Sequence, residues 1–298
     1  STLSIRRQRQ MCIRDRFNSY IYLLNPNILI MVLITTILGY YLGSDGKILW
    51  DNLISLMIGT FLSAGGASVL NQYLEREQDK IMNRTCKRPI PLGIISPQNA
   101  LIFGIISVIS GTVILAIMIN ILTGFISLLT AFMYVLIYTP MKRITWLNTS
   151  IGSIPGALPP VGGWVASTNS IDSGAWILFA ILYLWQHPHF FAIAWMCKDD
   201  YEKAGFKMLP VIEPNGRRTV RQILWHLSLL FPITLLPVFI GMNGSIYMYG
   251  VLIITLYYFL SAFPMLYNKS HKNASRILKA SVVYLPALMM IIIIDKGM

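Results

Sequence analysis

Apolar runs of span length recur from residue 20 to residue 295, broken by short polar or glycine- and proline-bearing loops. They predict membrane-crossing helices near 20–42, 48–74, 97–119, 122–140, 148–168, 173–197, 222–241, 245–267 and 276–295. At roughly 20 apolar residues per crossing plus short loops, a chain of this length holds nine such helices and not twelve. Local signals agree with these boundaries. Ser96-Pro97 offers an N-cap followed by a first-turn proline, and Gly241-Met242-Asn243-Gly244 reads as a tight turn. The run at 148–168 differs from the others, because Gly152, Pro155, Gly156, Pro159, Pro160, Gly162 and Gly163 interrupt it. A helix of that composition needs neighbours or a lined cavity to satisfy its freed backbone groups, so it is expected to face a pocket and not lipid.

Composition supports the same class. Hydrophobic residues make up 55% and charged residues 12% of the 298 residues, with a mean hydropathy of +0.61. A soluble domain would carry roughly twice that charge. The net charge of +12 is distributed with a sense: 22 of the 24 Lys and Arg residues fall in the N-terminal tail, the loops at 75–96, 141–147, 198–221 and 268–275, or the adjoining helix end. With an odd number of spans and a cytoplasmic N-terminus, all of these lie on one side. Lys47 and Lys296 are the exceptions. The basic excess therefore reads as an orientation signal and a phosphate-binding resource, and no nucleic-acid partner is expected. Cys12, Cys86 and Cys197 form no close pair, so a reduced protein without a disulfide framework is expected. Residues 1–19, with Arg6, Arg7, Arg9, Arg14 and Arg16, contain no apolar core long enough for a signal peptide. They read as a non-family extension or disordered tail ahead of a membrane domain at 20–298.

Chemistry-bearing residues concentrate at the basic face. Asn71, Glu75 and Asp79 recur at four-residue spacing, which puts them on one stripe of a helix descending from membrane to water. Over eight residues the stripe is roughly 12 Å long. Hard oxygen donors of this kind suit Mg²⁺, which shares one or two carboxylates with substrate phosphate oxygens. The bland alternative is a solvated helix end whose acids pair with Arg76 and Lys80. Arg84, Lys87 and Arg88 come next, ahead of Pro89 and Pro91. An arginine fork suits bidentate phosphate binding, although these residues would serve equally as positive-inside anchors when taken alone. Lys142 and Arg143 succeed Tyr138-Thr139-Pro140 on the same face. A second acidic-basic segment, Lys198-Asp199-Asp200-Tyr201-Glu202-Lys203, closes the sixth span and would complete a site for a diphosphate. That span also carries Trp185-Gln186-His187-Pro188-His189-Phe190. Its histidines suit iron, a porphyrin propionate or acid-base work, or else satisfy local backbone groups around a proline kink. His226 and His271 read as interfacial.

On these residues the chain resembles the protoheme IX farnesyltransferases, or heme O synthases, of the intramembrane aromatic prenyltransferase (UbiA) superfamily. The resemblance covers most of the chain from residue 20 onward. It is carried by Asn71-x-x-x-Glu75-x-x-x-Asp79-x-x-Met82-x-Arg84-Thr85-x-x-Arg88-Pro89, by Tyr138-Thr139-Pro140-x-Lys142-Arg143-x-Thr145, and by Gly152, Gly156-Ala157, Pro159-Pro160 and Gly163-Trp164. Trp185-Gln186-x-Pro188-His189-Phe190 and Asp200-Tyr201-x-x-Ala204-Gly205-x-x-Met208-Leu209-Pro210 point to the heme-directed branch. Two departures stand out. Leu24-Asn25-Pro26-Asn27 replaces a segment that is usually basic, and His187 occupies a position that is usually apolar, which leaves His189 as the candidate.

The resemblance implies an all-α bundle of nine transmembrane helices around a central cavity, in the bacterial inner membrane with the N-terminus and active-site loops cytoplasmic. It implies Mg²⁺ as cofactor on Asn71, Glu75, Asp79 and Asp200, diphosphate binding by Arg84, Arg88, Lys142 and Arg143, and heme contacts from His189, Trp185 and Tyr201. Farnesyl diphosphate and heme B are the implied substrates, with the lipid bilayer around them and a terminal oxidase assembly or a second copy as further partners. Two rivals remain at this point: a prenyltransferase acting on a quinone precursor or other aromatic, and a transporter of an anionic substrate. Against the transporter, the charges gather at one face and not at the bilayer midplane.

Overall fold

A computed structural model describes residues 18–296, and every element among them is helical. The expected tail character of residues 1–17, and Cys12 with it, lies outside the described residues. Long helices are Pro26–Gly43 (α1), Trp50–Leu74 (α2), Pro97–Met118 (α4), Ile121–Phe132 (α5), Asn148–Thr168 (α7), Ser173–Met196 (α8), Arg217–Phe239 (α11), Ser245–Ala262 (α12) and His271–Lys296 (α14). Short helices Arg76–Ile81 (α3), Thr139–Ile144 (α6), Lys198–Lys203 (α9), Leu209–Ile212 (α10) and Pro264–Tyr267 (α13) cluster at helix ends. Among the described residues eight helical segments are long and apolar enough to cross a bilayer, with α5 running through a π-helical turn into α6 as one of them. Outward side chains such as Ile117 and Ile121 are 75% and 82% exposed, a surface that only lipid tolerates. The protein is an integral, multi-pass membrane protein.

The ninth expected span, α7, is a continuous helix of 21 residues in spite of Pro155, Pro159 and Pro160, but its composition does not match that of the other eight. It survives because it is interior, packed against α1, α5 and α8. Neighbouring side chains reach its backbone: Gln186 Nε2 donates to the Ser153 carbonyl at 2.6 Å and Asn120 Nδ2 to that of Val165 at 3.1 Å. Small residues let it approach α1 to backbone contact. A Cβ on Gly163 would run into the Thr36 carbonyl, and one on Gly39 into that of Pro160.

The run at 20–42 is not one helix. Asn25 adopts a left-handed conformation (φ 56°) and Pro26 opens α1 after it. Proline cannot continue a helix from its preceding turn, and Gln72 Nε2 takes up the Leu23 carbonyl at 2.6 Å. Ser96 caps α4 as the sequence predicts, its Oγ accepting from the Asn99 N–H. At the opposite face, the turn around Gly241 (φ 73°) is held by Asp295, which accepts from Gly244 N at 2.7 Å and Tyr247 N at 3.1 Å.

α2 and α4 pack along Gly59, Gly66, Gly104 and Gly111, where small residues substitute for the hydrophobic drive that lipid removes. A Cβ on Gly66 would come within 2.7 Å of the Gly104 carbonyl oxygen. Gly66→Val is therefore expected to cost about 1–3 kcal/mol through overpacking and to lower the Tm in detergent. Gly162→Ala, whose Cβ meets only Ile126 Cγ2 at 3.7 Å, is expected to leave the Tm unchanged or slightly raised. Equal Tm values for the two variants would overturn this packing account.

Candidate active site

The site begins where α2 ends. Backbone bonds from Glu75 N to the Asn71 carbonyl (2.9 Å) and from Asp79 N to the Glu75 carbonyl (2.8 Å) carry the helical repeat across the step into α3. Asn71, Glu75 and Asp79 consequently keep one face, and all three are buried, Asp79 completely. A buried carboxylate requires a cation or several donors. Arg88 Nη1 lies 2.8 Å from Asp79 Oδ2, and Lys142 Nζ lies 2.8 Å from Glu75 Oε1. Asn71 Nδ2 donates to Thr139 Oγ1 at 2.9 Å. The solvated-end pairing does occur, but on a different acid: Arg76 and Lys80 pair with the exposed Glu77.

Among the described residues Asp79 Oδ1 is buried without a hydrogen-bond partner. Burial holds the Asp79 carboxyl above its ordinary range, with Arg88 pulling it back. A raised acid binds its proton more tightly in the folded protein, so this group's contribution to stability declines as pH rises through its folded range. A bound cation at Oδ1 would relieve that cost.

The loop after α3 folds back onto the second acidic segment. Met82 packs with Ala194, Tyr201, Phe206 and Met208. Arg84 Nη2 donates to the Tyr201 hydroxyl at 3.0 Å and lies over its ring at 5.0 Å, while Asn83 Nδ2 donates to Asp200 Oδ1 at 3.1 Å. Two stretches 117 residues apart thus meet. A third joins them through the π-helical turn Met133–Tyr138. Such turns insert a residue and re-aim the helix beyond them, often at functional sites. Here Thr139 donates from N and Oγ1 to the Tyr134 carbonyl, and Lys142 Nζ lies 4.7 Å from the centre of the Tyr138 ring. Lys207 N donates to the Lys142 carbonyl at 2.7 Å. Arg143 is exposed and its Nη2 donates to the Leu74 carbonyl at 3.4 Å, at the C-terminal end of α2. Lys87 is exposed as well. Among the described residues no three His, Cys, Asp or Glu side chains already form a metal cluster; the acids instead hold Arg88 and Lys142.

Deeper in the bundle, Trp185 Nε1 donates to the Ser281 carbonyl at 3.0 Å, and His189 Nδ1 bonds Ser281 Oγ at 2.7 Å. Tyr201 is not with them; it belongs to the loop cluster beside Arg84, and burial raises its hydroxyl pKa. His226 is no interfacial residue. It is buried and stacks on His187 with ring centres 3.8 Å apart.

A family model described as the UbiA prenyltransferase family matches residues 32–284. The chain belongs to the UbiA prenyltransferase family. Protoheme IX farnesyltransferases from Solibacter usitatus and Salinibacter ruber are 40% and 39% identical to it, each over 93% of this chain and 98% of theirs. Among solved structures, a digeranylgeranylglyceryl phosphate synthase superposes with a TM-score of 0.77 at 20% identity, covering 95% of this chain and 99% of its own. A UbiA homolog from Archaeoglobus fulgidus bound to GPP and Mg²⁺ gives 0.66 at 16% identity, covering 92% of this chain and 99% of its own. The fold of this chain is that of the UbiA prenyltransferases, it is a prenyltransferase, and the transporter reading falls away.

Sequence reasoning passed over Asn148, which joins two segments of the candidate site. It is fully buried, and its Nδ2 donates to the carbonyls of Thr145 at 2.6 Å and Lys207 at 3.0 Å, tying the Lys142 loop to the segment that carries Asp200. An uncharged polar residue at the start of a glycine-rich span was the available signal. Asn148→Ala takes the side-chain donor from the Lys207 carbonyl, while the Thr145 carbonyl keeps the residue 148 backbone N–H at 3.2 Å, a loss of about 1–3 kcal/mol. The expected outcome is a lower Tm with faster amide exchange across 204–208; unchanged exchange there would show that the two segments hold together without it.

Proposed function

We propose that this chain transfers the farnesyl group of farnesyl diphosphate to a vinyl group of heme B, giving heme O. The observation that supports the reading is Asp79 Oδ1, buried and among the described residues without a hydrogen-bond partner, beside the Asp79–Arg88 and Glu75–Lys142 pairs, with the following loop bonded to the second acidic segment through Asn83 to Asp200 and Arg84 to Tyr201. The heme acceptor is supported by protoheme IX farnesyltransferase relatives matched along nearly their whole length.

Mg²⁺ fits the donor set, since Asn71, Glu75, Asp79 and Asp200 offer hard oxygens and one of them is a bare buried carboxylate oxygen. When bound it supplies Lewis-acid stabilisation of the departing diphosphate. The chain's own residues do the rest. Arg88 and Lys142, which balance Asp79 and Glu75 in the ligand-free protein, turn to the phosphate oxygens together with Arg84, and Arg143 adds positive charge at the rim. Preorganised cations aimed at the leaving group lower the barrier to breaking the allylic carbon–oxygen bond. The farnesyl cation has to be kept from water until the vinyl carbon of heme has attacked it. Water then adds to the resulting benzylic-type cation on the porphyrin and loses a proton, giving the hydroxyethylfarnesyl group. The porphyrin provides the nucleophile, so no strong general base is required of the protein. Charge asymmetry favours an inner-membrane orientation with these loops in the cytoplasm.

Purified protein incubated with heme B, farnesyl diphosphate and Mg²⁺ is expected to yield heme O by chromatography and mass analysis, and chelation is expected to stop it. Asp79→Asn, whose amide oxygen can still accept from Arg88, should lower turnover at least 100-fold, the scale of losing one preorganised electrostatic contact, while the protein stays folded in detergent. Full turnover by that variant refutes the site assignment. Prenylation of hydroxybenzoate in place of heme B would move the reading to a quinone-precursor acceptor.

A further inference from the structure

Charge is balanced differently in the two halves of the basic face. In the candidate site Arg88 and Lys142 pair with buried acids, and Arg76 and Lys80 share Glu77. Between residues 214 and 294 the chain carries seven Lys and Arg residues and not one Asp or Glu. Three of these cations, Lys272, Arg276 and Lys279, fall on one face of α14. They line a groove of about 410 Å³ that Tyr257 of α12 closes on the other side. All four side chains are exposed. Among the described residues none of the three cations makes an ion pair or a side-chain hydrogen bond.

The end of the groove is built from fixed backbone. Asn273 Nδ2 donates to the carbonyls of Pro264 at 3.2 Å and Asn268 at 2.6 Å, and Ser270 Oγ accepts from the Asn273 N–H at 3.3 Å. Trp195 Nε1, near the end of α8, donates to the Lys269 carbonyl at 3.1 Å, so the groove opens on the same face as the candidate active site. Like charges spread over about 10 Å of helix repel one another, and a site beside the bilayer makes leaving them unneutralised costly. An anion answers both.

The rest of the same stripe says what kind of anion. Beyond Lys279 it continues through Val283, Pro286 and Met290, all exposed, and α12 presents Ile253 and Tyr249 beyond Tyr257. A cationic head region above a length of exposed apolar surface complements an amphiphile, whereas a soluble phosphate or an acidic peptide would leave the apolar part unused. Orientation alone asks only for positive charge in the loops. Lys279 instead lies two turns inside α14, where its stem runs along apolar surface and its ammonium reaches back to the interface. Basic pockets between membrane helices bind anionic headgroups in this way.

We infer that the α12–α14 groove binds the phosphodiester headgroup of an anionic membrane phospholipid, with its acyl chains along Val283 and Ile253. The lipid neutralises Lys272, Arg276 and Lys279 and braces α12 against α14. It takes no part in the transfer chemistry, and the inference stands apart from the choice of acceptor.

The experiment measures the Tm of delipidated full-length protein in nonionic detergent with added phosphatidylglycerol, phosphatidylcholine, inorganic phosphate or polyglutamate, and counts retained lipids by native mass spectrometry. Phosphatidylglycerol is expected to raise the Tm by about 5 °C more than phosphatidylcholine does, with one tightly retained molecule and a smaller shift at high salt. Lys272→Gln/Arg276→Gln/Lys279→Gln should lose that difference and the retained molecule while matching wild type in phosphatidylcholine. Lys279→Gln alone should lose part of the shift, which keeps the test open if the triple variant does not fold. Arg217→Gln/Arg221→Gln, which removes charge from α11 on the same face, should keep the full shift. Equal shifts from the two lipids, or an equal loss in the α11 variant, would show diffuse charge and overturn the site. A shift matched by inorganic phosphate or by polyglutamate would overturn the lipid as its occupant.

Discussion

Two carboxylates buried at the end of one membrane helix set the terms for the rest of this site. Asp79 is fully buried and Glu75 nearly so, and charges in such a place need partners of opposite sign. The partners come from elsewhere in the chain, Arg88 from the returning loop and Lys142 from the end of the fourth span. Neutralisation therefore dictates that three segments converge. Once they do, the cations that the proposed reaction assigns to the leaving group stand beside the acids, and among the described residues Asp79 Oδ1 is left without a partner. In the ligand-free protein the site balances its own charges, and in the proposed reaction the diphosphate takes over the arginine and lysine while a divalent cation takes the acids.

The bundle supports this through close backbone approach more than through bulky side chains. Lipid offers no hydrophobic drive between helices, so Gly66 and Gly104, or Gly39 and Gly163, make the contacts that set helix spacing. The glycine- and proline-rich α7 would be a poor helix against lipid. It is interior instead, and Gln186 and Asn120 bond its carbonyls. The same polar residues that would be costly at a lipid face become fasteners, and they leave α8 in a defined rotation with Trp185 and His189 against Ser281.

Periodicity and charge were sufficient to read the helical class, the approximate span limits and the face on which chemistry is gathered. The four-residue spacing of Asn71, Glu75 and Asp79 survives in three dimensions because the helical bonds continue through the step at Glu75. Boundaries failed where a single residue changed the backbone: Asn25 and Pro26 split the first run, and the π-helical turn before Thr139 re-aims the end of the fourth. Tyr201 lies in the right motif, yet its partner is Arg84 and not the Trp185–His189 pair.

What the amino-acid order determined by itself is local and compositional: which segments are apolar enough for lipid, which side takes the positive charge, and which acids share a helical stripe. Those properties come from hydropathy, helical period and the cost of moving charge through a bilayer, all set by neighbouring residues. Pairing was decided only in the folded molecule. That Asp79 meets Arg88 while Glu77 takes Arg76 and Lys80, that Asn148 ties residue 145 to residue 207, and that Ser281 bonds both Trp185 and His189 depend on helix rotation and depth. Packing of the whole bundle fixes those two quantities, and no stretch of the chain carries them alone.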